Sequence, residues 1–359
     1  MGCNSTAICV SLRVISSCIL ADKLQDVLLP WKGHAIIAPW LGSANHHWCM
    51  YNQHMNLPPN FFNTLYNTFG EAGAVFLRTL PQRLETYAQR WELTLLPAFP
   101  NLSYNYVAPV LRRDGSEAVL KLGVPHREAR SELAALAFFD GGGCVRLLES
   151  DPDGGALLLE RLRPGATLRS LVDDDDVQAT ALLADVMEAL WRPAPATHAM
   201  LTIGEWAAEL ATLRTTFDGG TGPFPTLLVE IAEHLFSELL ASSSAPVVLH
   251  GDLHHDNVLA APGGRWLAID PKGVVGEREF EVYALLRNPP GWPLAQPNPA
   301  RVLRRRIDQV AERLGLDRER MRLWSVAQCV LSAWWDYNDA DPNAGQDDLR
   351  VADLLWREK

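Results

Sequence analysis

Val247-Val248-Leu249-His250-Gly251-Asp252-Leu253-His254-His255-Asp256-Asn257-Val258-Leu259 is the stretch from which the rest of the chain is read. A short apolar run enters a polar loop dense in His and Asp, and a second apolar run leaves it. Runs of this length bounded by turn residues read as short buried strands. Trp266-Leu267-Ala268-Ile269 follows as another strand-like run and delivers Asp270. The strands therefore carry Asp252, Asn257 and Asp270 toward one place. An acidic surface turn would need no apolar strands on its two sides.

Outward from this loop the chain changes texture. Upstream, Leu57-Pro58-Pro59 leads into a helical pattern over Asn60 to Leu80, with a break near Gly70 and Gly73, and a second helix is expected from Pro81 to Trp91. The period then becomes that of strands: Glu92 to Leu96, Val107 to Leu111, Glu117 to Leu122, Val145 to Glu149 and Ala156 to Glu160. Arg113-Asp114-Gly115 is a hairpin turn. One helix, His126 to Asp140, separates the third strand from the fourth and stops at Gly141-Gly142-Gly143. Beyond Pro164-Gly165 the pattern is helical, at Val177 to Trp191, Ile203 to Phe217, Thr226 to Ala241, Glu279 to Arg287, Pro299 to Leu314, Arg318 to Tyr337 and Asp347 to Trp356. The expected architecture is α+β and bilobal. A small mixed lobe with a five-stranded antiparallel sheet spans residues 55–163, and a larger, mostly helical lobe spans 164–359.

The 359 residues carry 32 basic and 43 acidic side chains, a net charge of −11. That balance argues against nucleic acid or an anionic membrane surface as partner and suits a cationic ligand. No apolar run approaches the roughly 18 residues that cross a bilayer. Residues 1–54 differ from the remainder: their only full charges are Arg13, Asp22, Lys23, Asp26 and Lys32, and they hold Cys3, Cys9, Cys18 and Cys49. Met1-Gly2 with Thr6 fits an acylation pattern with Cys3 as a second lipid site. Ile8 to Ala21 is a poor signal-peptide core, interrupted by Arg13. The favoured expectation is an atypical leader, disordered or non-native, with the working chain beginning near Met55. Cys144 and Cys329 read as buried thiols of a reducing compartment, which places the protein in the cytoplasm.

Phosphoryl transfer asks a protein mainly to position groups and neutralise charge. Asp252 can accept the proton of an acceptor hydroxyl. Asn257, five residues later, and Asp270 offer the hard oxygens that Mg²⁺ prefers. The Asp-x4-Asn spacing matches the protein-kinase catalytic loop. Yet His250-Gly251-Asp252 stands in place of His-Arg-Asp, and Asp270-Pro271-Lys272 in place of Asp-Phe-Gly. Both replacements point to small molecules rather than proteins. Lys121 on the third strand can reach the α and β phosphates of ATP, held by Glu132 eleven residues on, with Glu128 the competing partner. No G-x-G-x-x-G or G-x-x-x-x-G-K-[ST] occurs. Ser103 and Asn105, in the loop between the first two strands, are the phosphate-covering candidates. The adenine slot falls along Glu160-Arg161-Leu162. A rival donor set, zinc on His250, His254, His255 and Asp252, is weakened because adjacent His254 and His255 do not easily face one tetrahedral ion. Asp173 to Asp176 reads as a solvated helix start. His255, Trp335, Asp336 and Asp339 are candidates for a wall against a cationic, polyhydroxylated substrate.

His250 to Asn257, taken together with Ile269-Asp270-Pro271-Lys272-Gly273-Val274-Val275-Gly276-Glu277, resembles the aminoglycoside/hydroxyurea antibiotic resistance kinases, whose best-known members are streptomycin 6-kinases. Val145-Arg146-Leu147-Leu148 and Leu157-Leu158-Leu159-Glu160 also sit where that family places strands before its crossover. The resemblance runs from about Phe61 to the C-terminus and leaves out residues 1–54. It implies a protein-kinase-like fold and an ATP- and Mg²⁺-dependent transfer to a small-molecule hydroxyl. By the same resemblance Asp252 is the base, Asn257 and Asp270 the metal ligands, and Lys121 with Glu132 the ATP-side pair. A kinase for hydroxyurea or another metabolite hydroxyl is the alternative, and a nucleotide-binding pseudokinase the further one. A monomer or weak homodimer is expected.

Overall fold

The computed structural model of the protein describes residues 57–338 and 345–358; the readings for residues 1–54 and for Asp339 fall outside them. In chain order the elements are α1 (Pro59–Phe69), α2 (Glu71–Arg90), β1 (Leu93–Leu95), β2 (Tyr106–Arg112), β3 (Glu117–Leu122), α3 (Arg127–Phe139), β4 (Leu147–Asp151) and β5 (Ala156–Glu160). There follow α4 (Arg169–Leu190), β6 (Leu201–Thr202), α5 (Ile203–Thr216), α6 (Thr226–Ala241), β7 (Val247–Leu249), β8 (Val258–Ala260), β9 (Trp266–Ala268) and β10 (Val274–Gly276). The chain ends in α7 (Tyr283–Arg287), α8 (Trp292–Ala295), α9 (Pro299–Leu314), α10 (Arg318–Asn338) and α11 (Gln346–Arg357).

The small lobe is an antiparallel sheet of order β1-β2-β3-β5-β4. Strand alternation assigns its faces. Ala118, Leu120 and Leu122 of β3, with Ala156 and Leu158 of β5, join Phe61, Leu65, Phe76 and Leu80 of α1 and α2 in one core. The opposite face carries Leu157 and Leu159, which join α3 and the helical lobe in a second, larger core. Lys121 lies between Leu120 and Leu122 and is paired in register with Leu157, so it points to that second face. α3 contributes Ala135, Leu136 and Phe139 to the same core and is thereby built into both lobes.

Two local expectations shift. The leading helices break at Gly70, whose φ is +54°, and not at Pro81, which sits inside α2. Gly73 lets the two helices touch: a Cβ there would lie 2.1 Å from the Leu65 carbonyl oxygen. The fourth strand begins at Leu147 rather than Val145, because the Val145 N–H donates to the Ala268 carbonyl of the large lobe at 2.8 Å.

The acidic run Asp173 to Asp176 is also corrected. It lies within α4, at a kink where Asp175 has φ −152° and ψ 79°. Asp175 caps the second half by accepting from the Gln178 N–H at 2.9 Å. Asp176 is no solvated charge, since its carboxylate meets the wholly buried Arg306 guanidinium at 2.7 Å and 3.2 Å. α5 starts at Ile203 because Thr202 and Glu205 form a reciprocal capping box.

Three short strands in the order β6-β10-β7 and the hairpin β8-β9 make the floor of the large lobe. The segment Glu279 to Val282, expected as helix, is the greater part of a tight 3₁₀ turn, Arg278–Val282, leading into α7. None of the described helices is long and apolar enough to cross a membrane.

Candidate active site

The loop from His250 to Asn257 hangs between β7 and β8, and Asp270 follows β9. The Ile269 N–H donates to the Asn257 carbonyl at 2.9 Å, and the Lys272 and Gly273 N–H groups both donate to the His250 carbonyl, at 2.8 and 3.1 Å. These bonds zip the two loops side by side, so the segments that carry Asp252, Asn257 and Asp270 lie against one another.

His250 is wholly buried and acts as a brace. Its Nδ1 accepts from the Asp252 N–H at 3.2 Å, so its Nε2 carries the proton and donates to the Ile269 carbonyl at 2.8 Å. Burial pushes its pKa down to about 4, which keeps the ring neutral. With both ring nitrogens used, His250 has no lone pair for zinc. Among the described residues no group of three or more His, Cys, Asp or Glu is gathered to hold a metal.

Beneath the loop, Glu281 accepts from the His250 N–H at 2.7 Å and from the Gly251 N–H at 2.8 Å. The Tyr283 hydroxyl donates to the Gly251 carbonyl at 2.7 Å. Gly251 has φ +82°, and a Cβ on it would sit 2.8 Å from Val274, 3.1 Å from Trp206 and 3.2 Å from the Lys272 Cβ. An arginine at this place, as in His-Arg-Asp, has no room.

Asn257 donates through Nδ2 to the Asp252 carbonyl at 3.0 Å, which leaves its Oδ1 to act as an acceptor elsewhere. Asp270, in the left-handed region at φ +60°, presents a carboxylate that the Lys121 charge holds well below the usual range. An amide oxygen and an ionised carboxylate on adjoining loops fit an oxygen-liganding divalent cation such as Mg²⁺. When bound beside ATP, such an ion would screen the β and γ phosphate charge.

Lys121 is 7% exposed and pairs with Glu132 at 2.6 Å and with Asp270. Burial opposes its charge, but Asp270 and Glu132 outweigh burial and raise its pKa. Glu132 is thus the partner, whereas Glu128 turns toward His126, 4.0 Å away. Asn105, Lys121, Gly123, Glu132 and Leu157 line a small open cleft at the end of β3. Asn105 packs so tightly over Gly123 that a Cβ there would lie 2.1 Å from its Oδ1. Ser103 stays exposed on the loop outside that cleft. At the crossover, Leu162 is buried, Glu160 accepts from the Arg146 N–H at 2.8 Å, and the Arg161 guanidinium stacks over Phe99 at 4.7 Å.

The two loop histidines divide differently from the sequence reading. His255 is wholly buried, with neither ring nitrogen hydrogen-bonded, and burial drives its pKa down to about 2. It offers no face to a substrate in this structure. His254 is the one on the open side, with its Nε2 3.9 Å from the Asp252 carboxylate. Trp335 on α10 is half-buried, donates to Glu209 at 2.6 Å and packs edge-on against Trp206 at 5.1 Å. Trp206 in turn abuts Gly251, so an aromatic and acidic wall stands beside the loop. Asp336 is half-buried on the same helix. Burial, with the Glu128 charge adding to it, raises the Glu209 pKa against the Trp335 hydrogen bond. Lys272, whose Cβ stands beside Gly251, is partly exposed. Burial opposes its charge, but Asp252, Asp270 and Glu128 raise its pKa.

A profile of the aminoglycoside/hydroxyurea antibiotic resistance kinase family matches residues 90–340, and the chain belongs to that family. It is 35% identical over 286 residues to a streptomycin 6-kinase of Streptomyces glaucescens, covering 79% of this chain and 92% of that one. Over 299 residues it is 35% identical to a hydroxyurea phosphotransferase of Kitasatospora aureofaciens, covering 80% and 82%. The crystal structure of a thermostable aminoglycoside phosphotransferase APH(4)-Ia mutant, in ternary complex with AMP-PNP and hygromycin B, aligns with TM-score 0.55 at 12% identity, over 78% of this chain and 98% of that one. That likeness shows the protein-kinase-like fold. As a family member the chain is a phosphotransferase with an alcohol group as acceptor.

Proposed function

We propose that the protein transfers the γ-phosphoryl group of ATP to a hydroxyl of a cationic, polyhydroxylated aminoglycoside of the streptomycin type, and so inactivates it. The observation that carries this reading is the joining of the Lys121–Glu132 pair to Asp270, directly beside the loop that presents Asp252 and Asn257. In it, Asp252 orients the acceptor hydroxyl and takes its proton. Lys121, fixed by Glu132, meets the α and β phosphates. Asn257 and Asp270 hold Mg²⁺. Asn105, with Ser103 further out on the loop, covers the phosphate end, and the backbone from Glu160 to Leu162 meets the adenine edge. Glu209, Glu128 and Trp335 supply carboxylates and an aromatic face for guanidinium or ammonium groups. The need for ATP places the reaction in the cytoplasm.

A second reading, transfer to hydroxyurea, is favoured by the equal identity to the hydroxyurea phosphotransferase. The discriminating experiment is ATP consumption and product mass with streptomycin, other aminoglycosides and hydroxyurea as acceptors. Turnover with streptomycin and a product heavier by one phosphoryl group is the expected result. Turnover with hydroxyurea alone selects the second reading, and turnover with none of them overturns both.

A further inference from the structure

Charge neutralisation is most of what phosphoryl transfer requires of a protein, because charge spreads over the equatorial oxygens of the transferring group. Four basic side chains around the catalytic loop are already engaged or neutral. Lys121 is engaged by Glu132 and Asp270. Arg287, whose charge also acts on Asp252's surroundings, is bound by Asp348 and Ser332. His250 is a neutral brace with both nitrogens used. Arg127 is paired with Glu205.

Lys272 is different. Its backbone is fixed, with its N–H on the His250 carbonyl at 2.8 Å, and its Cβ stands 3.2 Å from where a Cβ on Gly251 would be. The side chain thus leaves the backbone next to Asp252 and two residues after Asp270. It is partly exposed, and among the described residues its ammonium makes no ion pair within 4 Å and no hydrogen bond. A lysine serving only to bind Asp252 or Asp270 would be paired with one of them. This one stands among Asp252, Asp270 and Glu128 without closing on any.

We propose that Lys272 is a catalytic residue whose ammonium contacts the transferring phosphoryl group between the base and the metal-site carboxylate. The proposal rests on the phosphotransferase reading above. As the acceptor oxygen forms its bond to the γ-phosphorus, the bond from that phosphorus to the β–γ bridging oxygen breaks. The hydroxyl proton passes to Asp252, and ADP leaves with the electron pair. Lys272 takes no proton in this step and meets the equatorial oxygens while negative charge is spread over them.

The test compares binding of a ground-state and a transition-state mimic to the full-length enzyme. Calorimetric affinities for AMP-PNP and for ADP with aluminium fluoride, both with Mg²⁺, are measured for wild type, Lys272→Met and Lys272→Arg. Lys272→Met should bind AMP-PNP within about threefold of wild type and bind the aluminium fluoride complex at least tenfold more weakly. Its kcat should fall by about 10²–10³, the range for removing one preorganised donor, with both KM values nearly unchanged. Lys272→Arg should recover part of both losses. Equal weakening of the two mimics, or a kcat within about threefold of wild type, overturns the proposal. Because the affinity ratio is taken within one sample, a loss of folded protein does not alter it. If the wild type phosphorylates no acceptor, the functional reading falls, and the same ratio, with the rate of acceptor-free ATP hydrolysis, still decides the role of Lys272.

Discussion

Asp252 has its backbone N–H held by His250, and its neighbour Gly251 is held by Glu281 and Tyr283, so its carboxylate can be altered without freeing the loop. Asp252→Asn should lower kcat by about 10²–10⁴, the usual worth of a positioned base, with an unchanged unfolding midpoint. A variant turning over near the wild-type rate removes Asp252 from that role. The histidines beside it make a prediction about acid. His250 and His255 are held neutral by burial, with pKa values near 4 and 2. Above the ordinary histidine value of about 6.5 both are neutral folded or unfolded and leave stability unchanged. As pH falls below that, the unfolded chain takes up protons that the folded chain refuses. Stability is lost at about 1.4 kcal/mol per pH unit for each, down to about pH 4 for His250 and further for His255. Urea midpoints between pH 6 and 4 should therefore slope less steeply in His255→Phe, and an unchanged slope would refute the assignment. At this scale the sequence was most legible where spacing carried the information. Asp-x4-Asn, the following Asp270 and the strand lysine are all local patterns. Glu281 and Tyr283 were not legible, because each reaches the loop from a segment some thirty residues on and its residue type is ordinary. The choice of Glu132 over Glu128, and of His254 over His255 for the open side, needed the rotation of a helix and of a loop that spacing alone leaves free.

Most of the longer elements came out of the sequence in the right order and type because apolar period and turn residues agree along most of the chain, whereas the short β6, β10 and α8 carry too few residues to show a period. In two places a long-range partner moved an expected element. Val145 left its expected strand for Ala268. The Asp173 to Asp176 run joined α4 because Asp176 meets an arginine pair from α9, which a local reading of four acidic residues does not contain. That pairing gives a sharp prediction. Arg306 is wholly buried, donates to the Leu285 and Asn288 carbonyls at 2.6 Å each and lies over Trp292 at 5.0 Å. It ties α4, α7 and α9 together through one guanidinium. Removing its only carboxylate partner among the described residues strands a buried charge, an effect of about 3–5 kcal/mol. Asp176→Ala should lose that much unfolding free energy in urea titration, far more than Asp173→Ala, whose carboxylate faces solvent. Equal effects of the two substitutions would mean that the pair contributes little.

The two lobes are not independent bodies, because α3 and one face of the β5 strand belong to the same apolar core as the helical lobe. One polar counterpart of that junction is a buried hydroxyl. Ser131 on α3 is wholly buried, donates to the Gly273 carbonyl at 2.5 Å and accepts from the Leu201 N–H at 2.8 Å. It joins the helix that carries Glu132, the turn after Asp270 and the strand β6. Gly273, at φ +70°, comes so close that a Cβ on it would lie 2.5 Å from the Ser131 carbonyl oxygen. Helix and turn are therefore in backbone contact, and Lys121 bridges Glu132 and Asp270 across the same seam. A junction built from shared core and buried hydrogen bonds should make unfolding cooperative. Tryptophan fluorescence, which samples Trp91 beside the first sheet and Trp206 and Trp324 in the large lobe, should coincide with far-ultraviolet circular dichroism in one transition. Ser131→Ala leaves the Leu201 N–H and the Gly273 carbonyl buried without this partner, a cost of about 1–3 kcal/mol. The variant should melt earlier, still in one step, because the shared apolar core remains. Two separated transitions in the wild type would show that the lobes fold apart and that α3 does not couple them.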